Sequence, residues 1–226
     1  ITGATLPFVK HSYLVKDGKD IGRIVDEAFH IATTGRPGPV LIDFPMDLLK
    51  QEHEYPDEDP EINIRGYKLL GKASESQIKK VAAAIKKAKK PVILSGGGVV
   101  ISDATEELRE LVKNTDIPVV STMMGIGTMP SNDDNYCGMI GSHGAKRANN
   151  ILNQSDLVIG MGTRLGDRSV SNIKGFEKRS KLVHIDIDPA EIGKNIQPYI
   201  PVVGDIKDVL TQLIPLVKDY TVDDDW

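Results

Sequence analysis

The sequence predicts an α/β fold, an open parallel sheet of about six strands with helices on both faces. Two observations carry this. From Ser74 onward, short apolar runs alternate with segments of helical period. Polar, glycine-rich clusters then follow or end those runs, at Gly96–Gly98, Met139–Gly144, Gly162–Arg168 and His184–Pro189. In open α/β sheets such loops lie at the carboxyl ends of buried strands, where ligands bind. The last three clusters, all from one half of the chain, point to a bound cofactor more than to a bare scaffold.

The elements follow in order. Residues 20–34 read as a helix, with Ile21, Ile24, Val25, Ala28, Phe29 and Ala32 on one face. Asp20 is placed to cap it, and Gly35 to supply a left-handed residue past its end. Arg36-Pro37-Gly38-Pro39 turns the chain into a strand, Val40–Phe44, that Pro45 stops. Lys50 to Glu61 holds seven acidic or basic residues and two prolines, with almost no core-forming side chain. This reads as a surface linker over 51–72. It separates a short N-terminal piece, 1–50, from a larger domain, 73–226.

In the larger domain Ser74 and Gln77 suit a capping box before a helix whose buried face is Ile78, Val81, Ala82 and Ile85. Strand Val92–Leu94 runs into Gly96–Gly98. A helix over 103–114 leads to strand Ile117–Val120, and 121–143 is a long connection. A helix near 144–153, strand Leu157–Ile159, strand Leu182–Ile187 and a short helix from Pro189 come next. Val202-Val203 ends a strand, and a last helix spans Asp205–Val217. The acidic tail Asp223–Asp225 is expected to fray.

Composition narrows the classes. The 226 residues are 40% hydrophobic, enough for one substantial core or a core with an appended piece. A formal charge of −4 leaves no basic excess to favour nucleic acid or an anionic membrane. The single cysteine, Cys137, excludes an internal disulfide framework and fits a reducing compartment. No apolar run reaches spanning length and the first residues show no secretory pattern, so a cytoplasmic protein is expected. With Ile1 in place of an initiator methionine, the chain is expected to be a fragment of a longer protein.

Each motif has a functional and a structural reading. Gly96-Gly97-Gly98 lets backbone approach a phosphate or a flavin edge, but a tight strand-to-helix turn explains it equally well. Arg164 and Arg168 suit bidentate binding of a carboxylate or phosphate; the alternative is a local pair with Asp167. His143 is a hydrogen-bond donor to a cofactor, or a capping histidine. No second His or Cys stands at metal-ligand spacing, so no metal site is expected, and no Ser-His-Asp set stands in a hydrolase context. Asp186 and Asp188 suit ribose or adenine-side groups, while Asp188-Pro189 also suits a helix start. The lysines between Lys79 and Lys90 read as a solvated helix face.

These loops, in this order, resemble the catalytic subunits of the acetohydroxyacid synthase (acetolactate synthase) family, which are thiamine diphosphate enzymes. The similarity runs over essentially the whole chain, through Lys10–Val15, Ala28–Ala32, Gly35–Asp43 and the three loops. It implies a Rossmann-like central domain over 73–217 that binds FAD without redox use, preceded by the tail of a pyrimidine-binding domain. It places Arg36, Gly96, Gly97, Gly98, Thr122, Met123, His143, Gly144, Gly162, Arg164, Asp186 and Asp205 near the flavin nucleotide. Arg168 matches the arginine that holds the carboxylate of the second 2-keto acid.

The resemblance further implies thiamine diphosphate and magnesium sites, and the activating glutamate, outside this chain. The fragment alone is therefore expected to be inactive. The parent is expected to form a homo-oligomer and to accept a regulatory subunit. Ser142, Met46, Gly166 and Leu165 depart from the family pattern; the first two line the expected substrate access path, which bears on substrate preference and inhibitor contacts more than on fold. Alternatives are a flavin-independent catabolic synthase, another thiamine diphosphate carboligase or oxidase, and a non-catalytic nucleotide-binding or interaction module.

Overall fold

The computed structural model describes residues 1–52, 61–69, 72–170 and 173–226. The chain divides into two compact units, Ile1–Leu69 and Leu70–Trp226.

The first unit runs α1 (Thr2–Thr5), β1 (His11–Leu14), α2 (Ile21–Thr33), β2 (Val40–Asp43) and α3 (Met46–Leu49). Strands β1 and β2 pair in parallel, His11 opposite Val40 and Leu14 opposite Asp43. Helix α2 buries Ile24 and Ala28, as the periodicity predicts, but Phe29 is 68% exposed, and Glu27 and Ile31, both outside the predicted face, are buried. Glu27 is sustained by partners the pattern does not reveal. It accepts from the Tyr13 hydroxyl at 2.9 Å and from Arg23 at 2.8 Å. Burial, and then the Glu27 carboxylate, push the Tyr13 phenol up to about 12.

Asp20 does not cap α2 with its side chain and instead pairs with Arg23 at 3.0 Å. The other end of α2 is closed by charge. Lys10 Nζ donates to the carbonyls of Ile31 and Thr34, each at 2.6 Å, and lies 3.1 Å from the Tyr67 hydroxyl. An ammonium on the last carbonyls of a helix satisfies orphan acceptors and opposes the dipole. Gly35 follows with φ +59°, the left-handed turn expected of it.

The second unit contains α4 (Glu75–Lys87), β3 (Pro91–Ser95), α5 (Gly97–Ile101), α6 (Thr105–Thr115), β4 (Val119–Ser121), β5 (Tyr136–Met139), α7 (Lys146–Gln154), β6 (Leu157–Met161), α8 (Ile173–Arg179), β7 (Lys181–Asp186), β8 (Ile200–Val203) and α9 (Ile206–Val217). Six strands form one parallel sheet in the order β5-β4-β3-β6-β7-β8. The chain winds outward from β3, then returns and winds outward from β6. The order therefore reverses between β3 and β6, both buried along their whole length. Alternate residues feed two cores. Ile93, Ile159, Val183 and Ile185 pack with α4, α6 and α9, while Val92, Leu94, Val158 and Leu182 pack with α7 and Phe176 of α8.

The predicted α/β class is the observed one, with local differences. β5 lies inside the predicted long connection, because Tyr-Cys-Gly-Met has no apolar run; its Tyr136 hydroxyl is 2.7 Å from the Ser121 hydroxyl. No helix follows Pro189. Asp188 Oδ1 accepts the amide of Ala190 at 2.9 Å, which closes a turn rather than a helix start. The capping box does not form: Ser74 Oγ meets Ser76 Oγ, and Gln77 donates to the Pro201 carbonyl at 2.9 Å. The tail does not fray, because the Trp226 indole donates to the Pro91 carbonyl at 2.9 Å with Lys90 over its ring. The lysines of α4 and its end are exposed, as a solvated face requires.

Replacing Lys10 by Met strips two helix-end carbonyls of a charged donor. Urea denaturation should show a loss of about 2 kcal/mol.

Candidate functional site

Register brings the strand ends to one level. Ser95 lies opposite both Ser121 and Met161, Met161 opposite Ile185, and Asp186 opposite Val203. Gly96, Thr122, Gly162 and Asp186 consequently form a row along the carboxyl edge. Every candidate of the second unit sits on this edge: Gly96–Gly98 after β3, Thr122 and Met123 after β4, His143 and Gly144 after β5, Gly162, Arg164 and Arg168 after β6, Asp186 ending β7, and Asp205 after β8. Arg36 is an exposed residue of the first unit, next to the Gly35 turn.

The glycines close the reversal point by backbone contact. The amides of Gly96, Gly98 and Gly162 donate to the carbonyls of Met161 (2.9 Å), Gly162 (3.0 Å) and Ile185 (2.8 Å). A Cβ on Gly98 would sit 2.5 Å from the Gly162 Cα, and one on Gly96 would run into the Gly162 carbonyl. Gly162 also holds φ +57°. The contacts thus support the tight-turn reading of these glycines directly. A Cβ on Gly97 would come within 3.0 Å of the Met124 side chain.

The loop from Gly162 to Arg168 is tied down at three carbonyls. Thr163 O lies 2.9 Å from His184 Nε2, Arg164 O accepts from Asn195 Nδ2 at 2.7 Å, and Arg168 O accepts from the Ser142 amide at 3.3 Å. Leu165, at φ +50°, drives its side chain into the core at 1% exposure. Between these anchors Arg164 and Arg168 are exposed. Among the described residues neither guanidinium forms an ion pair, and the Asp167 carboxylate takes the Arg168 backbone amide at 2.9 Å. The local Arg–Asp side-chain pair is therefore not formed. Guanidiniums of this kind, on an anchored backbone and without an ion-pair partner among the described residues, suit the binding of carboxylate or phosphate.

The Ser142–Arg168 bond also joins the loop after β5 to the loop after β6. Asn149 of α7 holds that first loop, accepting the Gly141 amide at 2.9 Å and donating to its carbonyl at 3.0 Å. Gly144 closes it through an amide bond to the Gly141 carbonyl at 3.0 Å, leaving His143 exposed beside Ser142. Thr122 donates its amide to Ser95 O at 2.9 Å and opens a turn that exposes Met123, Met124 and Ile126. With Val100 and Ile101 of α5 these give the edge an apolar surface. Asp186 Oδ1 accepts the Asp188 amide at 2.9 Å, and Asp205 caps α9 by accepting from Lys207 and Asp208. Both carboxylates thus already serve the backbone.

His184, Asn149 and Asn195 were not singled out from the sequence. A signal existed only for His184, a polar residue at an interior position of a buried strand. Burial pushes its imidazole down, against the opposing pull of the Thr163 bond and of Asp186 and Glu191. A depression of about 180 Å³ between Phe176, Lys181 and Tyr199 lies at the amino ends of β7 and β8, away from these loops. Among the described residues no group of His, Cys, Asp and Glu is placed to hold a metal, and no helix is long and apolar enough to cross a membrane.

A doubly wound parallel sheet with its polar loops gathered on the carboxyl edge defines an open α/β domain, the architecture in which ligands are received where the strand order reverses. Residues 78–213 match the family model described as thiamine pyrophosphate enzyme, central domain, and the chain belongs to that family. Among its relatives are the acetolactate synthase of Mycobacterium leprae, 45% identical over 98% of this chain, and the acetolactate synthase large subunit of Haemophilus influenzae, 40% identical over 96%. The large subunit of Porphyra purpurea is 42% identical over 97%. The chain spans 35%, 38% and 37% of the length of these relatives.

Gly162→Ala tests the contact at the reversal point. A left-handed alanine pressed onto Gly98 should cost about 3 kcal/mol in urea denaturation.

Proposed function

We propose that this chain is the FAD-binding central part of an acetolactate synthase. Residues 1–50 are the tail of its pyrimidine-binding domain and 51–72 the linker. The parent condenses pyruvate with a second pyruvate or with 2-ketobutyrate, releasing CO₂ and yielding a 2-acetohydroxy acid. The observation that carries this reading is the Gly162–Arg168 loop, which offers two unpaired guanidiniums beside the point where the strand order reverses.

The residues present fit a flavin dinucleotide. Arg164 and the exposed His143 offer donors to its phosphates and polar groups, and the apolar surface of Met123 and Met124 suits its ring system. The flavin is not called on for electron transfer. Arg168 binds the carboxylate of the acceptor keto acid, so that its carbonyl is held for attack rather than searching for an orientation. Thiamine diphosphate with magnesium, held by parts of the parent beyond this chain, supplies the carbanion chemistry. The half-exposed β1–β2 pair supports the domain assignment, because parallel strands are normally covered on both faces. A cytoplasmic homo-oligomer with a regulatory subunit completes the reading, and the isolated chain has no synthase activity.

Titration of the chain with FAD should quench flavin fluorescence saturably, and Arg36→Ala or Arg164→Ala should weaken it. Absence of binding here and in the full-length parent would instead mark a flavin-independent synthase. In the parent, Arg168→Ala should raise the KM of the acceptor keto acid by about 10- to 100-fold, the loss of one charge-assisted contact.

A further inference from the structure

Strand β7 carries one imidazole in an otherwise apolar interior. His184 is 1% exposed, and Leu182 of the same strand face belongs to the core under α7 and α8. Its Nε2 lies 2.9 Å from the Thr163 carbonyl oxygen. A carbonyl only accepts, so Nε2 carries the hydrogen and Nδ1 of the neutral ring keeps a lone pair. That Nδ1 is buried without a hydrogen-bond partner. The ring therefore forms a single directed bond, and that bond ends on the arginine loop.

The tether falls where the loop needs one. Thr163 stands between Gly162 at φ +57° and Leu165 at φ +50°, two left-handed residues within four. Glycine takes that conformation freely, but a leucine persists in it only when the surroundings over-determine it. Two residues along, the Leu165 amide leans on Thr163 Oγ1 at 3.4 Å, and Arg164 and Arg168 leave from the same stretch.

We propose that His184 is a positioning residue: its neutral imidazole clamps Thr163 and so sets the direction of Arg164 and Arg168, and proton uptake at Nδ1 releases the clamp. Protonation would place a charge and a second N–H in a buried site where Nδ1 meets no hydrogen-bond partner among the described residues, which the ring relieves by leaving it. The charged groups facing it are Asp186, ending its own strand, and Glu191 from the following turn, itself bonded to Lys194 at 3.1 Å. Both acids favour the charged ring, and burial outweighs them, so the closed state titrates below the ordinary 6.5. Between that lowered value and 6.5 the open state binds more protons than the closed one. The closed loop is therefore stable above 6.5 and loses stability as the pH falls through that window. The role of the two arginines in holding anions rests on the function proposed above; the clamp does not.

The test is amide hydrogen exchange at residues 163–168, with ¹⁵N NMR of the histidine rings, from pH 5 to 8. His184 should show the Nε2–H form and titrate below 6.5. His184→Leu should raise loop exchange at least tenfold at every pH while β3 and β6 stay protected. His184→Gln keeps an N–H donor that does not titrate, so it should preserve protection and abolish its pH dependence. An Nδ1–H tautomer, wild-type loop protection in the leucine variant, or an unchanged pH dependence in the glutamine variant would each overturn the proposal. FAD titration of the same variants separates the two readings. Affinity that falls at least fivefold in the leucine variant and is kept by glutamine supports both. Loop exchange following the predicted pattern without flavin binding to any variant leaves the clamp standing and removes the flavin.

Discussion

The second unit depends on a backbone-to-backbone contact at the middle of its sheet. Where the strand order reverses, the turn after β3 and the turn after β6 meet with no side chain between them, Gly98 against Gly162 and Gly96 against the Gly162 carbonyl. In most doubly wound sheets a crevice opens outside the strand ends at this point because adjacent connections depart to opposite faces. Here the crevice has a floor made of two interlocked turns. The amide bonds Gly96–Met161, Gly98–Gly162 and Gly162–Ile185 stitch β3, β6 and β7 together just past their last ladder pairs.

From that floor the rest of the edge is built by anchoring. The loop after β6 starts at Gly162 and is then held by His184, by Leu165 in the core and by Asn195. The loop after β5 starts at an edge strand and is held by Asn149, then by the loop after β6 through Ser142 and Arg168. Each tether lands on a backbone carbonyl or amide, so the loops are fixed while their charged side chains stay outside. Anion recognition benefits from this arrangement, because guanidiniums on a rigid backbone lose little further freedom on binding.

Much of this was legible in the residues. Buried parallel strands such as Val92–Leu94 and Leu157–Ile159 are unbroken apolar runs, and the amphipathic faces of α4, α6 and α9 repeat with helical period. The polar clusters were legible as strand-end loops for the same reason: each directly follows such a run. What was not legible has identifiable causes. β5, Tyr-Cys-Gly-Met, is an edge strand interrupted by glycine and without aliphatic β-branched residues; β1 is polar and lies in a two-stranded pair. Glu27 reads as a solvent-facing residue of α2 until Tyr13 and Arg23 are brought to it. Ser74 and Gln77 have the spacing of a capping box, yet Gln77 finds a better partner in Pro201, 124 residues away.

The sequence by itself determined the class of fold, the edge on which the polar loops gather and the residue types offered there, because periodicity and loop position are local properties. Only the tertiary structure decided the use of each residue. It made the glycines contacts between two turns, set Asp186 and Asp205 to hold backbone amides, and gave Arg164 and Arg168 no ion-pair partner among the described residues. It also placed His184, whose cluster drew notice for its aspartates, and Asn149, marked by no motif, where they hold the loops in shape. These roles depend on which strands lie side by side, and the order β5-β4-β3-β6-β7-β8 joins residues far apart in the chain that no local pattern connects.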